Sequence, residues 1–250
     1  MRHMSLRAVE ISIEVVNDRV AEFVDFLHSI RLLLGILIHE TVIKKGQEND
    51  RQQLVSRLNK LRELSVALDA EAKYYIFAHE EGKSDEMISL NIRNIVYKIS
   101  LLIPYFAGRM NKKITYNFDG ESQNCIIEGP DLFEVIPYKI IENAVKYSPG
   151  SARIDVRTWR SQQKIFIEIE SLGPELLEGE EIEIFERGRR GHWAKKLGVS
   201  GFGVGLSQVV RICSEVYGGK VSCLQDKSRS AILLNGIPYR PITFQIVIPV

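Results

Sequence analysis

The sequence predicts an α plus α/β protein, with an N-terminal antiparallel helical hairpin that forms a dimeric four-helix bundle, followed by a two-layer α/β sandwich. Between residues 18 and 79, apolar residues recur at alternating spacings of three and four, as in the seam of heptad helices. Beyond residue 87, segments that alternate polar and apolar residues are interspersed with helical patterns. The charged stretch EEGKSDE separates the two patterns, so we expect an extension at 1–17, the hairpin at 18–86 and the sandwich at 87–250.

The hairpin consists of two predicted helices, at residues 18–45 and about 51–79, joined by the polar turn GQEND. The seam of the first helix contains Val20, Phe23, Leu27, Ile30, Leu34 and Leu37. The seam of the second helix contains Leu54, Leu58, Leu61, Leu68, Ala72 and Tyr75. A single hairpin would leave much of this apolar surface exposed, so we expect a homodimer that buries it in a four-helix bundle.

The sandwich is predicted from its mixture of helices and mainly antiparallel strands. We expect helices at 91–111, 131–147 and 206–216. The expected strands are ITYNF, CIIEG, ARIDVRTW, KIFIEIE and TFQIVIP. After the KIFIEIE strand, Gly173 and Pro174 are expected to form a turn ahead of a short acidic helix.

Composition argues against several classes of partner. The 33 Lys and Arg residues nearly cancel the 32 Asp and Glu residues, so no global charge favours nucleic acid or anionic lipid. The 3 cysteines lack a CxxC spacing, which suits a reducing cytoplasm better than a disulfide framework. The longest nonpolar run, Leu32 to Ile38, is far shorter than the roughly 18 residues of a spanning helix. We therefore expect contact with a membrane only through an upstream region, if at all.

The first motif with chemical potential is IIENAVKYSPG, residues 140–150. On a helix, Glu142, Asn143, Lys146 and Tyr147 cluster on one side near the helix end. An amide oxygen of Asn143 suits Mg²⁺, and Lys146 can reach phosphate oxygens. Polar residues near a helix end are often only a solvated face, so this motif needs the support of others.

The second motif is SGFGVGLSQVV, in which Gly201, Gly203 and Gly205 precede a helix. Alternating glycines let the backbone approach a polyphosphate, and the helix N-terminus favours its charge. The motif is not the dinucleotide fingerprint, because Leu206 stands where its third glycine would fall. A basic loop precedes it and contains Arg187, Arg189, Arg190, Lys195 and Lys196. We interpret this loop as a lid over a triphosphate.

In this order, these motifs resemble the ATP-binding domain of sensor histidine kinases, which belong to the Bergerat-fold, or GHKL, superfamily. ENAVKYSP is similar to the N box, SLGPELLEGEEIEIFER to the first glycine box and F box, and GFGVGL to the second glycine box. TFQIVIP resembles the closing strand. The resemblance implies ATP and Mg²⁺ as cofactors, with Asn143 holding the metal. The ATP-contacting residues it implies are Lys146, Tyr147, Ser171, Gly173, Arg187, Arg190, Gly201, Gly203, Gly205, Leu206 and Thr243, the last near adenine.

The sequence departs from the family pattern at two ATP-site positions. Lys139 stands where the family has an Asn, one turn before the metal-binding Asn143. Ser171 stands where the family has the Asp that accepts a hydrogen bond from the adenine amino group, although Glu170 precedes it. A hydroxyl can accept that bond without charge assistance, so we expect weaker nucleotide binding or an altered base preference. The segment 226–242 also looks longer than the family's usual connection.

The hairpin would carry the phosphate-accepting histidine. HSIRLLL, which begins at His28 and contains Arg31, matches the family's pattern better than the stretch that begins at His39. His28 is therefore the preferred acceptor and His39 the alternative. Ser29 and Leu32 replace neighbours that the family's chemistry uses.

The resemblance implies ATP-dependent autophosphorylation on this histidine, followed by transfer to an Asp of a response-regulator receiver domain. Two alternatives stay open. One is a non-catalytic nucleotide-binding scaffold that regulates a partner kinase or a response regulator. The other is a protein Ser kinase of the same superfamily.

Overall fold

The computed structural model describes residues 65–78, 86–103, 112–118, 125–199, 201–228 and 230–250. The chain divides into two compact units, residues 1–83 and 84–250. In the first unit, residues 65–78 are helical, as expected for the end of the second hairpin helix. The first hairpin helix with its seam, His28, Arg31 and His39 lie outside the described residues. So do the second-helix seam residues Leu54, Leu58 and Leu61.

Residues 84–250 contain a large mixed sheet and a small antiparallel one. The strands are β1 (Ile88–Asn91), β2 (Lys113–Phe118), β3 (Ile126–Gly129), β4 (Arg153–Ser161), β5 (Lys164–Pro174), β6 (Lys220–Gln225), β7 (Ile232–Leu234) and β8 (Ile237–Pro249). In the large sheet the order is β2-β4-β5-β8-β6, with β7 also pairing with β8. Only the β2–β4 pair is parallel among these described pairings. The small sheet pairs β1 with β3.

Five helices accompany these strands in the described part of the unit. They are α1 (Ile92–Leu102), α2 (Val135–Tyr147), α3 (Glu180–Glu183), α4 (His192–Lys196) and α5 (Gly205–Glu215). Helix α2 packs against β5, α1 and α5, which makes a helical layer over the sheet. The predicted two-layer α/β sandwich is thus confirmed. Among the described residues, no helix is both long and apolar enough to span a bilayer.

The core lies between the helical layer and one face of the large sheet. Side chains alternate along each strand, so every second residue of β4, β5 and β8 points into this layer. Val156 of β4, Ile169 of β5 and Phe244 of β8 are cross-strand neighbours and are all buried. Full burial of such side chains contributes about 1.5–3 kcal/mol each. The alternation of polar and apolar residues in the sequence therefore reflects the burial of one face of this sheet.

The structure corrects the expected turn at Gly173 and Pro174. Both residues lie inside β5, where they pair with Arg240 and Tyr239 of β8. The pairing partner comes from the long 226–242 segment, part of which extends β8 toward its N-terminus. A proline at the end of a strand is tolerated because its missing N–H removes no interior ladder bond. The long connection is thus used to lengthen the central sheet.

Two smaller expectations also differ from the structure. Residues 131–134 form turns, and α2 begins at Val135. Strand β1 was not expected, and it draws β3 into the separate two-stranded sheet. Asn91 ends β1 and caps α1, because its Oδ1 accepts a hydrogen bond from Asn94 N at 3.0 Å.

Candidate functional site

One stripe of α2 combines two lysines and an asparagine. Lys139, Asn143 and Lys146 stand at i, i+4 and i+7, so they follow one side of the helix. Lys139 is only 6% exposed, whereas Asn143 and Lys146 are partly exposed. The end of this helix is anchored by the Lys112 ammonium, which donates to the Val145 carbonyl. The stripe is therefore held in place at the side of the helix that faces α5.

The glycine segment ahead of α5 lies beside this stripe. A Cβ built on Gly201 would lie 2.8 Å from Lys146 Nζ, and one built on Gly205 would lie 3.8 Å from Lys139 Cδ. Leu206 follows in the first turn of α5 and is partly exposed. Free backbone N–H groups and the helix dipole make such an N-terminus favourable for anions. Two lysines and a helix N-terminus thus converge on one place.

Arg190 brings a third positive charge from the basic loop. Its Nη1 donates to the Gly201 carbonyl at 3.2 Å, and its Nη2 donates to the Val199 carbonyl at 2.8 Å. The Tyr147 ring centroid lies 6.0 Å from the Arg190 guanidinium carbon and 5.8 Å from Lys146 Nζ. We call Lys139, Lys146 and Arg190 the cationic cluster. The structure thus brings together four of the predicted residues: Lys146, Tyr147, Arg190 and Gly201.

The electrostatics of the cluster favour an anionic ligand. Burial lowers the pKa of Lys146 below its ordinary value, and the neighbouring charges of Arg190 and Lys139 lower this pKa further. The Glu142 carboxylate acts in the opposite direction. A group whose positive charge is made unfavourable by its neighbours gains the most when an anion arrives. The cluster is therefore suited to a polyphosphate.

Gly203 fixes the basic loop against the glycine segment. Its φ is +75°, and a Cβ at this position would lie 2.5 Å from the backbone oxygen of Arg189 and 2.9 Å from the carbonyl carbon of Gly188. The Gly188 N–H donates to the Gly203 carbonyl at 3.1 Å. Only glycine fits both this backbone conformation and this close approach. Arg187 lies beside this contact and is exposed.

The resemblance predicts the adenine end of the site at Ser171 and Thr243, where β5 and β8 pair. Ser171 is 6% exposed and faces the helical layer, with Ile242 as its cross-strand partner. Thr243 pairs with Glu170, so its side chain points to the opposite face of the sheet. The structure therefore does not bring Thr243 together with Ser171, and Ile242 takes that place. Successive side chains of a strand point to opposite faces of the sheet, so residues 242 and 243 cannot both face Ser171.

Glu170 does not substitute for the missing family aspartate either. It shares the outer face with Thr243, and its Oε2 accepts a hydrogen bond from Arg157 Nη2 at 3.2 Å. A carboxylate on the outer face does not reach a ligand that contacts Ser171 on the inner face. Ser171 is thus the polar side chain that β5 offers there.

The first glycine box is fastened by contacts that the sequence did not predict. Gly173 packs so tightly on Ile242 that a Cβ would lie 2.8 Å from its Cγ2. Arg240 Nε donates to Glu175 Oε1 at 2.6 Å, in a half-buried ion pair. The Leu176 N–H donates to Gln225 Oε1 at 2.7 Å. Arg240, the ion-pair partner of Glu175, belongs to the long 226–242 segment. The residues around Gly173 therefore do not indicate this ion pair.

The described side chains offer a divalent cation few ligands. Mg²⁺ prefers an octahedral set of oxygen ligands, often including carboxylates. Asn143 supplies one neutral oxygen, but lysines lie one turn before it and three residues after it. Within the described ranges, no group of three His, Cys, Asp or Glu residues could hold a metal ion. A Mg²⁺ ion held by Asn143 would therefore take its remaining ligands from water and from phosphate oxygens of a nucleotide.

The residues of this site lie within a stretch that matches a known protein family. Residues 130–247 match the family described as histidine kinase-, DNA gyrase B-, and HSP90-like ATPase. This stretch of the chain is thus similar to the ATPases of that family. The match contains α2, the basic loop, the second glycine box and most of β8. The matched stretch therefore includes the cationic cluster and Ser171.

Curated relatives of the chain are described as sensor proteins. Sensor protein KdpD of Escherichia coli (strain K12) is 33% identical over 112 residues, which is 45% of this chain and 12% of that protein. Sensor protein RprX of Bacteroides fragilis (strain YCH46) is 23% identical over 220 residues, or 84% of this chain and 40% of that protein. The chain thus spans less than half the length of either relative.

Solved structures share the fold of this chain over most of its length. The catalytic domain of histidine kinase ThkA has a TM-score of 0.53 at 18% identity, covering 66% of this chain and 97% of that one. Histidine kinase ThkA in complex with the response regulator protein TrrA has a TM-score of 0.56 at 15% identity, covering 96% of this chain and 63% of that one. These structures show a shared fold, and together with the family match and the curated relatives they confirm the resemblance to the catalytic core of sensor histidine kinases.

Proposed function

We propose that this chain is the core of a histidine protein kinase of a two-component system. ATP binds to the ATPase domain, its γ-phosphoryl group passes to His28, and the phosphoryl group then passes to an Asp of a response regulator. The observation that carries the proposal is the cationic cluster at the second glycine box, on a fold shared with this ATPase family. The response-regulator complex of the fold relative ThkA supports the choice of partner.

The roles of the phosphate-binding residues follow from their positions. Lys146 and Arg190 bind phosphate oxygens as charge-assisted donors, and Arg187 approaches from the exposed part of the basic loop. The glycine segment and the N–H of Leu206 present backbone donors at the start of α5. The Tyr147 ring packs against both cations and limits their motion. Together these groups orient the γ-phosphate for transfer.

The acceptor residue belongs to the proposed hairpin. A neutral imidazole nitrogen of His28 attacks the γ-phosphorus, a P–N bond forms, and the bond to the bridging oxygen breaks so that ADP leaves. Ser29 offers no carboxylate to take the ring proton, so we assign that proton to water. Arg31, one turn further on, contributes a positive charge near the transferred phosphoryl group. We propose that the hairpin at 18–86 forms the homodimer and that 87–250 is the catalytic domain.

The metal enters this proposal only at one residue. By resemblance, Asn143 is the side chain that would hold Mg²⁺. The other ligands of the ion would be waters and phosphate oxygens of the nucleotide. No step of the transfer is therefore assigned to a metal.

Base recognition gives a test of the adenine end of the site. We expect Ser171→Asp to raise the preference for ATP over GTP by roughly tenfold, because a carboxylate accepts the adenine amino group with charge assistance and repels the guanine carbonyl. The matched control is Thr243→Asp, which adds the same charge on the outer face of the sheet. It should leave the preference unchanged. Competitive calorimetry with the two nucleotides measures both variants, and an equal effect of the two would contradict the assignment of Ser171.

A second candidate function is a nucleotide-binding scaffold without kinase activity. It is favoured by the residues that replace expected partners, namely Ser29, Leu32, Lys139 and Ser171. Incubation with γ-labelled ATP and a response regulator separates the candidates. Acid-labile label on the chain supports the histidine kinase, acid-stable label supports a Ser kinase, and nucleotide binding without label supports the scaffold.

A further inference from the structure

Glu180 joins the first turn of α3 to the beginning of α4, which lies inside the basic loop. Its Oε1 accepts a hydrogen bond from His192 N at 2.6 Å, and its Oε2 accepts one from Leu177 N at 2.9 Å. The proposed phosphate-binding roles leave this carboxylate without a task. A side chain that bridges two segments in this way determines how they lie relative to each other.

Helix α4 depends on this contact for its first turn. It has only 5 residues, and a helix of this length is not stable without outside contacts. Gly191, which precedes it, has no side chain that could cap the helix, so the first N–H groups need acceptors from elsewhere. Glu180 supplies a charged acceptor to the N–H of His192, and a negative charge is favourable at this end of a helix. The carboxylate therefore caps α4 from outside the basic loop.

Glu180 is itself attached to the large sheet through α3. The Glu180 carbonyl accepts a hydrogen bond from the N–H of Ile184, which directly follows α3 and is buried. The next residue, Phe185, meets Phe244 of β8 edge to face, with ring centroids 6.3 Å apart. The capping carboxylate thus has a fixed position relative to the sheet.

From α4, the contacts continue to the phosphate site. The Ala194 carbonyl in α4 accepts a hydrogen bond from Arg190 Nη2 at 3.0 Å. The same guanidinium donates through Nη1 to the Gly201 carbonyl at 3.2 Å. Because Arg190 belongs to the cationic cluster, a shift of α4 would move one of its charges relative to the glycine segment. Side chains that contact a ligand keep their positions only when neighbouring hydrogen bonds support them.

We propose that Glu180 is a positioning residue for the polyphosphate of the nucleotide. By capping α4, it holds the basic loop where Arg190 faces the glycine segment, although its own carboxylate does not contact the ligand. The inference rests on the proposed function, because it concerns the same nucleotide site. Breaking the contact between Glu180 and His192 therefore weakens the binding of ATP and leaves the binding of adenosine, which lacks phosphates, unchanged.

The contact can be broken from the side of His192 while Glu180 stays in place. His192→Pro removes the N–H donor, and the first position of a helix accommodates proline well. The preceding residue, Gly191, has a φ of −58° and a ψ of 151°, which is the extended conformation that proline requires before it. His192→Ala is the matched control, because it removes the same side chain and keeps the N–H.

Calorimetric titration of the full chain with ATP and with adenosine compares these variants. We expect His192→Pro to bind ATP about tenfold more weakly than the wild type and His192→Ala to bind it within about twofold, with the adenosine affinity unchanged in both. Equal ATP affinities of the two variants overturn the inference while ATP binding by the wild type stands. Equal losses for ATP and adenosine also overturn it. A wild type that binds no ATP instead overturns the proposed nucleotide site, and the inference with it.

Substitutions of Glu180 test the same contact from the other side. Glu180→Gln keeps an acceptor oxygen for the His192 N–H and should retain the ATP affinity within about threefold, whereas Glu180→Ala should lose about tenfold. Glu183→Ala removes an exposed carboxylate of the same helix and should match the wild type. Equal ATP affinities of Glu180→Ala and Glu183→Ala would contradict the role of Glu180. Thermal melting identifies a variant that fails to fold, and the two variants of the exposed His192 then decide the matter.

Discussion

Replacing Gly203 by alanine is expected to weaken ATP binding by about a hundredfold or more, because at least two charge-assisted or backbone contacts of about 1.5–3 kcal/mol are lost together. The new Cβ would lie 2.5 Å from the backbone oxygen of Arg189. Backbone cannot rotate away as a side chain can, so the basic loop must move from the glycine segment. That movement takes Arg190 away from the Gly201 carbonyl. Calorimetric titration with ATP measures the loss.

Gly236 provides a matched control for backbone strain. Its φ is +77°, almost equal to the +75° of Gly203, but a Cβ there would meet nothing within 4 Å. Gly236→Ala should therefore cost about 1–2 kcal/mol of stability, as expected for a left-handed alanine, and leave ATP binding unchanged. If the two variants weaken ATP binding equally, the contact between Gly203 and the basic loop is not what organises the site.

Replacing Lys146 by methionine is expected to weaken ATP binding by about 10- to 100-fold, since a hydrogen bond to a charged group is worth about 1.5–3 kcal/mol. Adenosine, which lacks phosphates, should bind both forms equally. Lys164→Met removes an exposed lysine at the far end of β5 and should change the affinity for neither ATP nor adenosine. An equal loss for ATP and adenosine would show that the variant damages the pocket and not its charge.

The lowered pKa of Lys146 adds a pH dependence to this prediction. The ammonium form binds phosphate, so affinity for ATP is full below the pKa of Lys146 and falls as pH rises through it. Because burial lowers this pKa below its ordinary value, the fall begins at a lower pH than for an exposed lysine. Lys146→Arg stays protonated throughout and should show a flatter profile over the alkaline range in which the wild type loses affinity. Parallel profiles for the two proteins would contradict the role of the Lys146 charge.

The sandwich could be predicted because a strand that is buried on one face alternates polar and apolar residues in the sequence. The alternation in KIFIEIE places Ile165, Ile167 and Ile169 on one face, and all three are buried. Helix α5 was expected at 206–216 and spans Gly205–Glu215, because the glycine segment marks its start. Local patterns were sufficient to predict a helix or strand wherever the residues that determine it lie within or next to that element.

The pairing of Gly173 and Pro174 within β5, and the opposite faces of Ser171 and Thr243, could not be predicted, for the opposite reason. Gly173 and Pro174 are typical of turns, and only their pairing with residues 239–240 keeps them in β5. Likewise, Thr243 is the more polar neighbour, yet the register puts Ile242 opposite Ser171. Strand pairing is set by tertiary packing, which a single sequence does not reveal. The sequence shows that Lys139 departs from the family pattern, but only the three-dimensional structure shows that it lies beside Gly205.

The most direct test of the proposed kinase is transfer of labelled phosphoryl from γ-labelled ATP to the full chain. The wild type should acquire a label that is labile in acid and stable in base, as a phosphorylated histidine is. His39→Ala should be labelled as strongly as the wild type, and His28→Ala should remain unlabelled. Equal labelling of His28→Ala and the wild type would contradict the assignment of the acceptor, and a wild type that binds ATP but takes up no label would contradict the kinase.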